Sequence, residues 1–317
     1  MVSLVGYTGF VGSNLYAFGK FDQIYNSKNI QEAYGTKPDL LVYSGLPAEK
    51  YLANLDPKAD WNRILQAERN IRKIEAKRVV LISTVDVFQV PVVVDEDTEV
   101  NTEGLHAYGR NRYALEEWVR GNCMDAAVIR LPGLYGKNLK KNFLYDYIYV
   151  IPSKLSKEKF CDLSDRAPQL RQYYEPCSNG FYQCRALKGE EREKLKSCFQ
   201  KLGFTALNFT DSRNIYQFYP LNRLWEDINI ILKHHVKLWH PATQPVSAGE
   251  IYRFLTRKEF VNEIAAQPVF YDYRTKYGEL FGRSGGYILN KQEVLEDIQR
   301  FVEKSAAMMP PELGQNM

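Results

Sequence analysis

Four apolar residues, Val2–Val5, run straight into Gly6-Tyr7-Thr8-Gly9-Phe10-Val11-Gly12, and an apolar-periodic stretch, Phe10–Phe18, follows without a gap. A strand, a glycine turn and a helix in immediate succession leave few folds open. Glycine at this junction meets three demands at once: a tight turn, backbone approach to a ligand, and close packing of helix on strand. The helix start then presents free N–H groups and a partial positive charge, so the loop is expected to hold a pyrophosphate. Glycine triplets alone are weak signals. This one gains weight from its place between a strand and a helix at the head of an alternating chain.

The alternation continues. Short β-rich runs at 21–25, Leu40–Tyr43, 79–82 and 127–131 are separated in the later part by helical patterns at 60–76 and 107–120. Strands alternating with helices predict an α/β fold, a Rossmann-like doubly wound parallel sheet with helices on both faces. After Gly136 the texture changes: 137–205 is polar, rich in Tyr, Lys and Glu, and lacks the regular alternation. An exposed helix is expected over 190–201, a turn at Ser178-Asn179-Gly180, and a further helix over 221–233. Ser247-Ala-Gly-Glu250 reads as a capping box, Asn290-x-x-Glu293 opens the last helix, and the tail from Met308 should fray. The chain therefore divides into a dinucleotide-binding domain over 1–136, with part of 206–240 returning to it, and a smaller C-terminal α/β lobe over 137–317 that includes the divergent insertion 137–205.

Composition narrows the function classes. The 317 residues carry 42 Lys and Arg against 38 Asp and Glu, a net charge of +4. Opposite charges interleave, giving a solvated surface rather than the concentrated basic stripe of a nucleic-acid groove. No apolar run approaches the roughly 20 residues that cross a bilayer, and a glycine turn beginning by Gly6 with no basic segment before it argues against a signal peptide. The five cysteines (Cys123, Cys161, Cys177, Cys184, Cys198) include no C-x-x-C pair, and no histidine falls among the last four. That spacing fits no zinc pattern, so no metal is expected, and the thiols read as reduced in a cytoplasmic protein.

Three further segments carry chemistry. They are Leu81-Ile-Ser83-Thr84-Val-Asp86-Val-Phe88, then Ala107-Tyr108-Gly109-Arg-Asn-Arg112-Tyr-Ala-Leu-Glu116, and Val128-Ile-Arg130-Leu-Pro132-Gly133-Leu-Tyr-Gly136. With the G-x-x-G-x-x-G spacing of the loop, they resemble the extended short-chain dehydrogenase/reductase family of the NAD-dependent epimerase/dehydratase type. Members of that family mostly modify sugars carried on nucleotides. The first segment resembles its S-[ST]-x-x-V-[YF] pattern and puts Thr84 at the catalytic hydroxyl; Ser83 points the other way, because adjacent strand residues face opposite sides. The second resembles Y-G-x-x-K-x-x-x-E and puts Tyr108 at the catalytic tyrosine, with Arg112 where the family has lysine. Tyr108 and Arg112 are one helical turn apart on the same face. Arginine stays protonated and is able to depress the Tyr pKa and bond a ribose hydroxyl, but its fork is bulkier and does not relay protons.

The resemblance also implies the binding residues. Gly6, Thr8, Gly9, Phe10, Val11 and Gly12 would hold the pyrophosphate, Leu46 and Ala48 the adenine side, and Leu131 and Gly133 the nicotinamide, with Tyr108 and Arg112 at its ribose. Asn26, Ser27 and Lys28 stand where the second strand usually ends in an acid for the NAD ribose, so a 2′-phosphate is also accommodated and the cofactor is NAD or NADP. Thr84, Asp86, Asn142 and Arg213 would contact the substrate, a nucleotide sugar. Arg213, in Asp211-Ser-Arg213-Asn214, resembles the arginine of the family's R-D-[FY]-[IV]-x-V stretch, which contacts the substrate diphosphate, and the C-terminal lobe becomes the substrate-binding one. The likeness runs through 1–136, thins over 137–205 and resumes from 206. The expected activity is NAD(P)-dependent reduction or epimerisation of a nucleotide-linked sugar by a cytoplasmic enzyme with no nucleic-acid or membrane partner. Val85 in place of a first acid after Thr84 argues against dehydration. A homodimer through helices of the sheet domain is common in the family. The alternative is a non-catalytic nucleotide-binding or regulatory protein that has lost activity through Arg112.

Overall fold

The structure is a computed structural model and describes residues 1–177 and 180–307. Two residues of the expected 178–180 turn and the tail from Met308 lie outside the described residues. In chain order the first elements are β1 (Val2–Val5), α1 (Phe10–Phe18), β2 (Gln23–Tyr25), β3 (Leu40–Tyr43), α2 (Lys50–Leu55), α3 (Pro57–Ile74), β4 (Val79–Thr84), β5 (Val92–Val94), α4 (Ala107–Asn122), β6 (Ala126–Leu131) and β7 (Gly133–Tyr135). There follow α5 (Phe143–Tyr149), β8 (Lys154–Ser156), α6 (Lys157–Arg166), β9 (Tyr174–Pro176), β10 (Phe181–Cys184) and α7 (Gly189–Leu202). The chain ends through β11 (Ile215–Tyr216), β12 (Phe218–Pro220), α8 (Leu224–Lys233), β13 (Leu238–Trp239), β14 (Val246–Ser247), α9 (Ala248–Thr256), β15 (Asp272–Tyr273) and α10 (Lys291–Ala307).

Two compact units share these elements. The first takes Met1–Asn138, Ile215–Val246 and Phe270–Val294; the second takes Leu139–Asn214, Ser247–Val269 and Leu295–Met317. At the centre of the first is a six-stranded sheet in the order β13-β6-β4-β3-β1-β2, parallel at every pairing. The sheet is buried on both faces, which explains why its strands read as near-continuous apolar runs. Alternate residues divide between two cores: Leu4, Val42, Val80, Ala127 and Ile129 pack with Leu15 of α1 and with Leu224, Ile228 and Ile231 of α8. Val5, Leu41, Tyr43, Leu81 and Val128 face Ile64 and Ile71 of α3 and Leu115 and Val119 of α4. That is the doubly wound α/β arrangement expected from the sequence.

From β1 the chain first steps to β2 on one side and then to β3 on the other. The strand order thus reverses at β1, and in open α/β sheets the crevice beyond the strand ends at such a point is where ligands bind. The glycine loop is built there. Gly6 sits at φ +92°, and a Cβ on it would stand 2.4 Å from the Ser44 carbonyl oxygen. A Cβ on Gly12 would stand 2.0 Å from the carbonyl oxygen of Gly6. Helix α1 therefore reaches β1 and the end of β3 only because neither residue has a side chain.

Polar anchors fix the rest of the first unit. Glu116 of α4 accepts from Arg130 of β6, Nε at 3.0 Å and Nη2 at 2.7 Å, and from the Ser83 hydroxyl of β4; the two charged side chains are fully buried. The returning segment 270–294 is tied by Glu96, whose carboxylate accepts from the backbone of His240 and Lys276 and from Thr275. Burial raises the Glu96 pKa, while these bonds pull it back. Buried Gln217 donates to the carbonyls of Thr243 and Tyr273 and accepts from the Tyr273 N–H.

The second unit has its own core. Residues 137–205, where no alternation was legible, contain the antiparallel sheet β8-β10-β9 with α6 and α7 around it. Phe160, Leu163, Leu170, Leu195 and Phe199 fill that core, and Phe160 stacks on Tyr182 at 4.0 Å. The capping box read at Ser247 is present: its hydroxyl accepts from Glu250 N–H while the Glu250 carboxylate accepts from Ser247 N–H.

The close approach of α1 makes a direct prediction. Gly12→Ala should cost about 3 kcal/mol or more, because a backbone oxygen has to yield. Gly9→Ala, at φ −76° with its Cβ 3.3 Å from the nearest atom, should cost much less. Urea unfolding compares them; equal midpoints for the Gly12 variant and the native protein would contradict the packing described.

Candidate active site

The cradle comes first. Thr8 and Gly9 are exposed at the turn, and Phe10 and Val11 are half-buried. Gly9 is the N-cap of α1 and has no side chain to cap the helix; no acidic residue lies in the first turn. The N-terminal end of α1, with its unpaired backbone N–H groups and partial positive charge, is thus left without a capping side chain at Gly9, which suits a phosphate anion. The residues present therefore fit a dinucleotide pyrophosphate.

Around the cradle stand the other expected binding residues. Asn26, at the end of β2, accepts from Lys28 N–H at 2.8 Å and donates to the Tyr7 hydroxyl at 3.2 Å; Ser27 and Lys28 are exposed. Leu46 is half-buried and Ala48 exposed just beyond β3. Leu131 is buried at the end of β6 and Gly133 is exposed.

Thr84 ends β4, and its hydroxyl accepts from Asp86 N–H at 3.1 Å. Tyr108 is the second residue of α4, with its N–H bound to the Asn54 side chain at 2.9 Å. Burial pushes the Tyr108 phenol up to about 12. The Arg112 charge opposes that rise, the Asp86 charge adds to it, and a hydrogen-bonding interaction with Thr84 lowers it. Thr84, Asp86, Tyr108 and Arg112 are thus gathered at one place in the first unit. Asn142 and Arg213 belong to the second unit. There Asn142 caps α5 through Tyr145 N–H. Arg213 pairs with Asp211 at 2.8 Å and Glu263 at 3.0 Å and donates to the Ala265 carbonyl. The Arg213 guanidinium and backbone N–H donors hold the Asp211 carboxyl well below the usual carboxylate range.

Arg112 is engaged on every side. Its Nη1 pairs with Asp60 of α3, its Nη2 donates to the Pro47 carbonyl at 2.9 Å, and its guanidinium lies 4.0 Å from the Tyr108 ring centroid. Its side chain is 4% exposed and that of Asp60 1%. Asn111 adds a second donor to Asp60 at 2.9 Å. An ion pair this deep is strongly destabilised by loss of either partner, about 3–5 kcal/mol in general.

Five neighbours escaped the sequence reading. Lys50, the first residue of α2, puts Nζ 3.0 Å from Asp86 Oδ1. Tyr271 donates to the same oxygen at 3.3 Å from 185 residues away. Asn54 and Asp60 hold the start and the flank of α4. His106 is the N-cap of α4: its Nδ1 accepts from Gly109 N–H at 3.0 Å. Of these only His106 carries a local signal, since it stands at the capping position just before the helix pattern opens at Ala107. Among the described residues no group of three or more His, Cys, Asp or Glu is arranged to hold a metal, and no helix is long and apolar enough to cross a membrane.

His106 gives the site a pH dependence. To cap α4 its Nδ1 must be free of a proton, and burial and the Lys50 charge lower its pKa below 6.5, while Asp86 partly opposes them. A depressed histidine contributes stability that is complete above pH 6.5 and is lost as pH falls toward the lowered value. In His106→Asn the amide caps at any pH, so thermal stability between pH 7.5 and 5 should fall by a fraction of a proton less steeply than in the native protein. Identical slopes would refute the cap.

No protein-family model matches the chain, and no curated protein matches it in sequence. Solved structures do match its shape. The dTDP-4-dehydrorhamnose reductase from Bacillus anthracis, in complex with NADP, aligns with a TM-score of 0.60 at 16% identity over 96% of this chain and 97% of that one. The Bordetella bronchiseptica enzyme WbmG, in complex with NAD and UDP, aligns at 0.60 and 13% identity over 97% and 95%. A UDP-galactose 4-epimerase aligns at 0.59 and 13% identity over 96% and 98%. At these identities the likeness concerns the fold, and the chain has the fold of these nucleotide-sugar reductases and epimerases, the one the sequence resemblance implied.

Proposed function

We propose that the protein is an NAD(P)-dependent oxidoreductase or epimerase acting on a nucleotide-linked sugar. The observation that carries this reading is the meeting of Thr84 and Tyr108 in the unit whose strand ends also build the glycine cradle. In this reading Gly6, Gly9 and Gly12 admit the pyrophosphate, and Asn26, Ser27 and Lys28 meet the adenosine ribose with or without a 2′-phosphate. The bound dinucleotide supplies or removes the hydride. Thr84 holds the substrate oxygen by its hydroxyl. Tyr108 gives its phenolic proton to that oxygen on reduction and takes it back on oxidation. Asp86 is the candidate contact to the sugar from the same turn, Asn142 a candidate contact to the nucleotide sugar, and Arg213 a candidate contact to its diphosphate.

Tyr108→Phe should abolish turnover, by at least about a hundredfold, and leave dinucleotide affinity within about twofold. The substrate is sought first by native mass spectrometry for a co-purifying dinucleotide, then by thermal shift against UDP-, GDP-, CDP- and dTDP-sugars. Unchanged turnover in the variant would remove Tyr108 as the proton donor. A tightly held, recycled cofactor would mark an epimerase, and steady consumption of NADPH a reductase.

A second reading, a nucleotide-binding protein without turnover, is favoured by one observation: Asp60 neutralises Arg112 while burial holds the Tyr108 phenol at about 12. Arg112→Lys separates the two. Under the leading reading it leaves turnover no higher than native. Turnover gained by this variant on a sugar the native chain ignores would decide for the second.

A further inference from the structure

Arg112 stands where the resembling motif has lysine, and both of its terminal nitrogens are turned onto partners inside the protein. Nη1 is on Asp60, Nη2 is on the Pro47 carbonyl, and the side chain is 4% exposed. Pro47 lies in the loop that leaves β3 beside the glycine turn, where the Ser44 carbonyl oxygen would be only 2.4 Å from a Cβ on Gly6. Three residues beyond Pro47 that loop ends in Lys50. The Lys50 side chain is 43% exposed, its Nζ is held by Asp86, two residues past Thr84, and its charge acts on His106, two residues before Tyr108. The pinned loop thus brings a partly exposed ammonium to Asp86, in the neighbourhood of Thr84 and Tyr108.

We propose that Lys50 is the cation that engages the nicotinamide half of the dinucleotide, and that Arg112 is a positioning residue that fixes the loop carrying it. This rests on the dinucleotide-dependent reading above. Arginine suits the buried task because its planar fork serves a carboxylate and a carbonyl together; lysine suits the exposed one because its ammonium is a compact, rotatable donor. Asp86 holds the ammonium and offsets its charge, and the rotatable amine keeps further N–H donors for a ribose hydroxyl.

The test is equilibrium binding on the full-length protein, with NADPH, NADH and ADP titrated separately and thermal unfolding measured for each variant. ADP reports the cradle half alone. Lys50→Met should weaken the better-bound reduced dinucleotide about tenfold, the loss expected for one charge-assisted hydrogen bond, with ADP affinity and unfolding temperature unchanged. Lys50→Arg should restore most of the loss. Unchanged dinucleotide affinity in Lys50→Met, an equal loss for ADP, or a lowered unfolding temperature would each overturn the inference and leave the functional reading standing. A native chain that binds neither NADPH nor NADH would instead remove the reading itself, and the inference with it.

Discussion

Helix α1 approaches β1 at a distance that only hydrogen atoms can fill. With Gly12 against the carbonyl oxygen of Gly6, and Gly6 against that of Ser44, three chain segments meet backbone to backbone at the point where the strand order reverses. The contact leaves the start of α1 without a capping side chain and lies beside the loop that follows β3. That loop in turn delivers Pro47 to Arg112 and Lys50 to Asp86.

Around this contact the first unit places charge where an apolar core would be simpler. Glu116 joins β4 to β6 through Ser83 and Arg130, and Asp60 joins α3 to α4 through Arg112 and Asn111. Buried ion pairs add little net stability over apolar residues of equal size, but they tolerate few alternative arrangements once formed. Here each is bound to an element that carries a residue of the candidate site: Ser83 is next to Thr84, and Arg112 is one turn from Tyr108. His240 shows the cost of such an interior. Burial and the positive charge of Arg130 hold its imidazole pKa down to about 3, although its bond to the Arg274 carbonyl favours the charged form.

The sheet and the cradle were legible because local chemistry dictates them: apolar runs buried on both faces, and glycines where no side chain fits. Thr84 and Tyr108 were singled out by their resemblance to family motifs, and the structure puts them at a strand end and near a helix start. The partners that set their behaviour were not. Asp60 lies 52 residues from Arg112, and Tyr271 lies 185 from Asp86, so no periodicity connects them. Helix α2 escaped because it has six residues and no side-chain cap. The stretch 137–205 read as irregular because β8, β9 and β10 have only three or four residues each, too short for an alternation to show, although they close on a core of their own.

The return of 270–294 to the first unit has a temporal side. Glu96 waits for Thr275 and Lys276, and Asp86 for Tyr271. All of these partners leave the ribosome after the whole of 139–214. During synthesis the parallel sheet is able to form up to β6, and then β13, while a buried carboxylate and the far side of the site still face water. Long-range pairing of this kind is slow, because loop closure precedes any gain from contact. The contacts around Asp86 and Glu96 are therefore complete only after Lys276 has been made. A nascent or truncated form has the glycine turn but lacks the Tyr271 contact to Asp86, so the two ends of the candidate site are completed at different times as the chain is built.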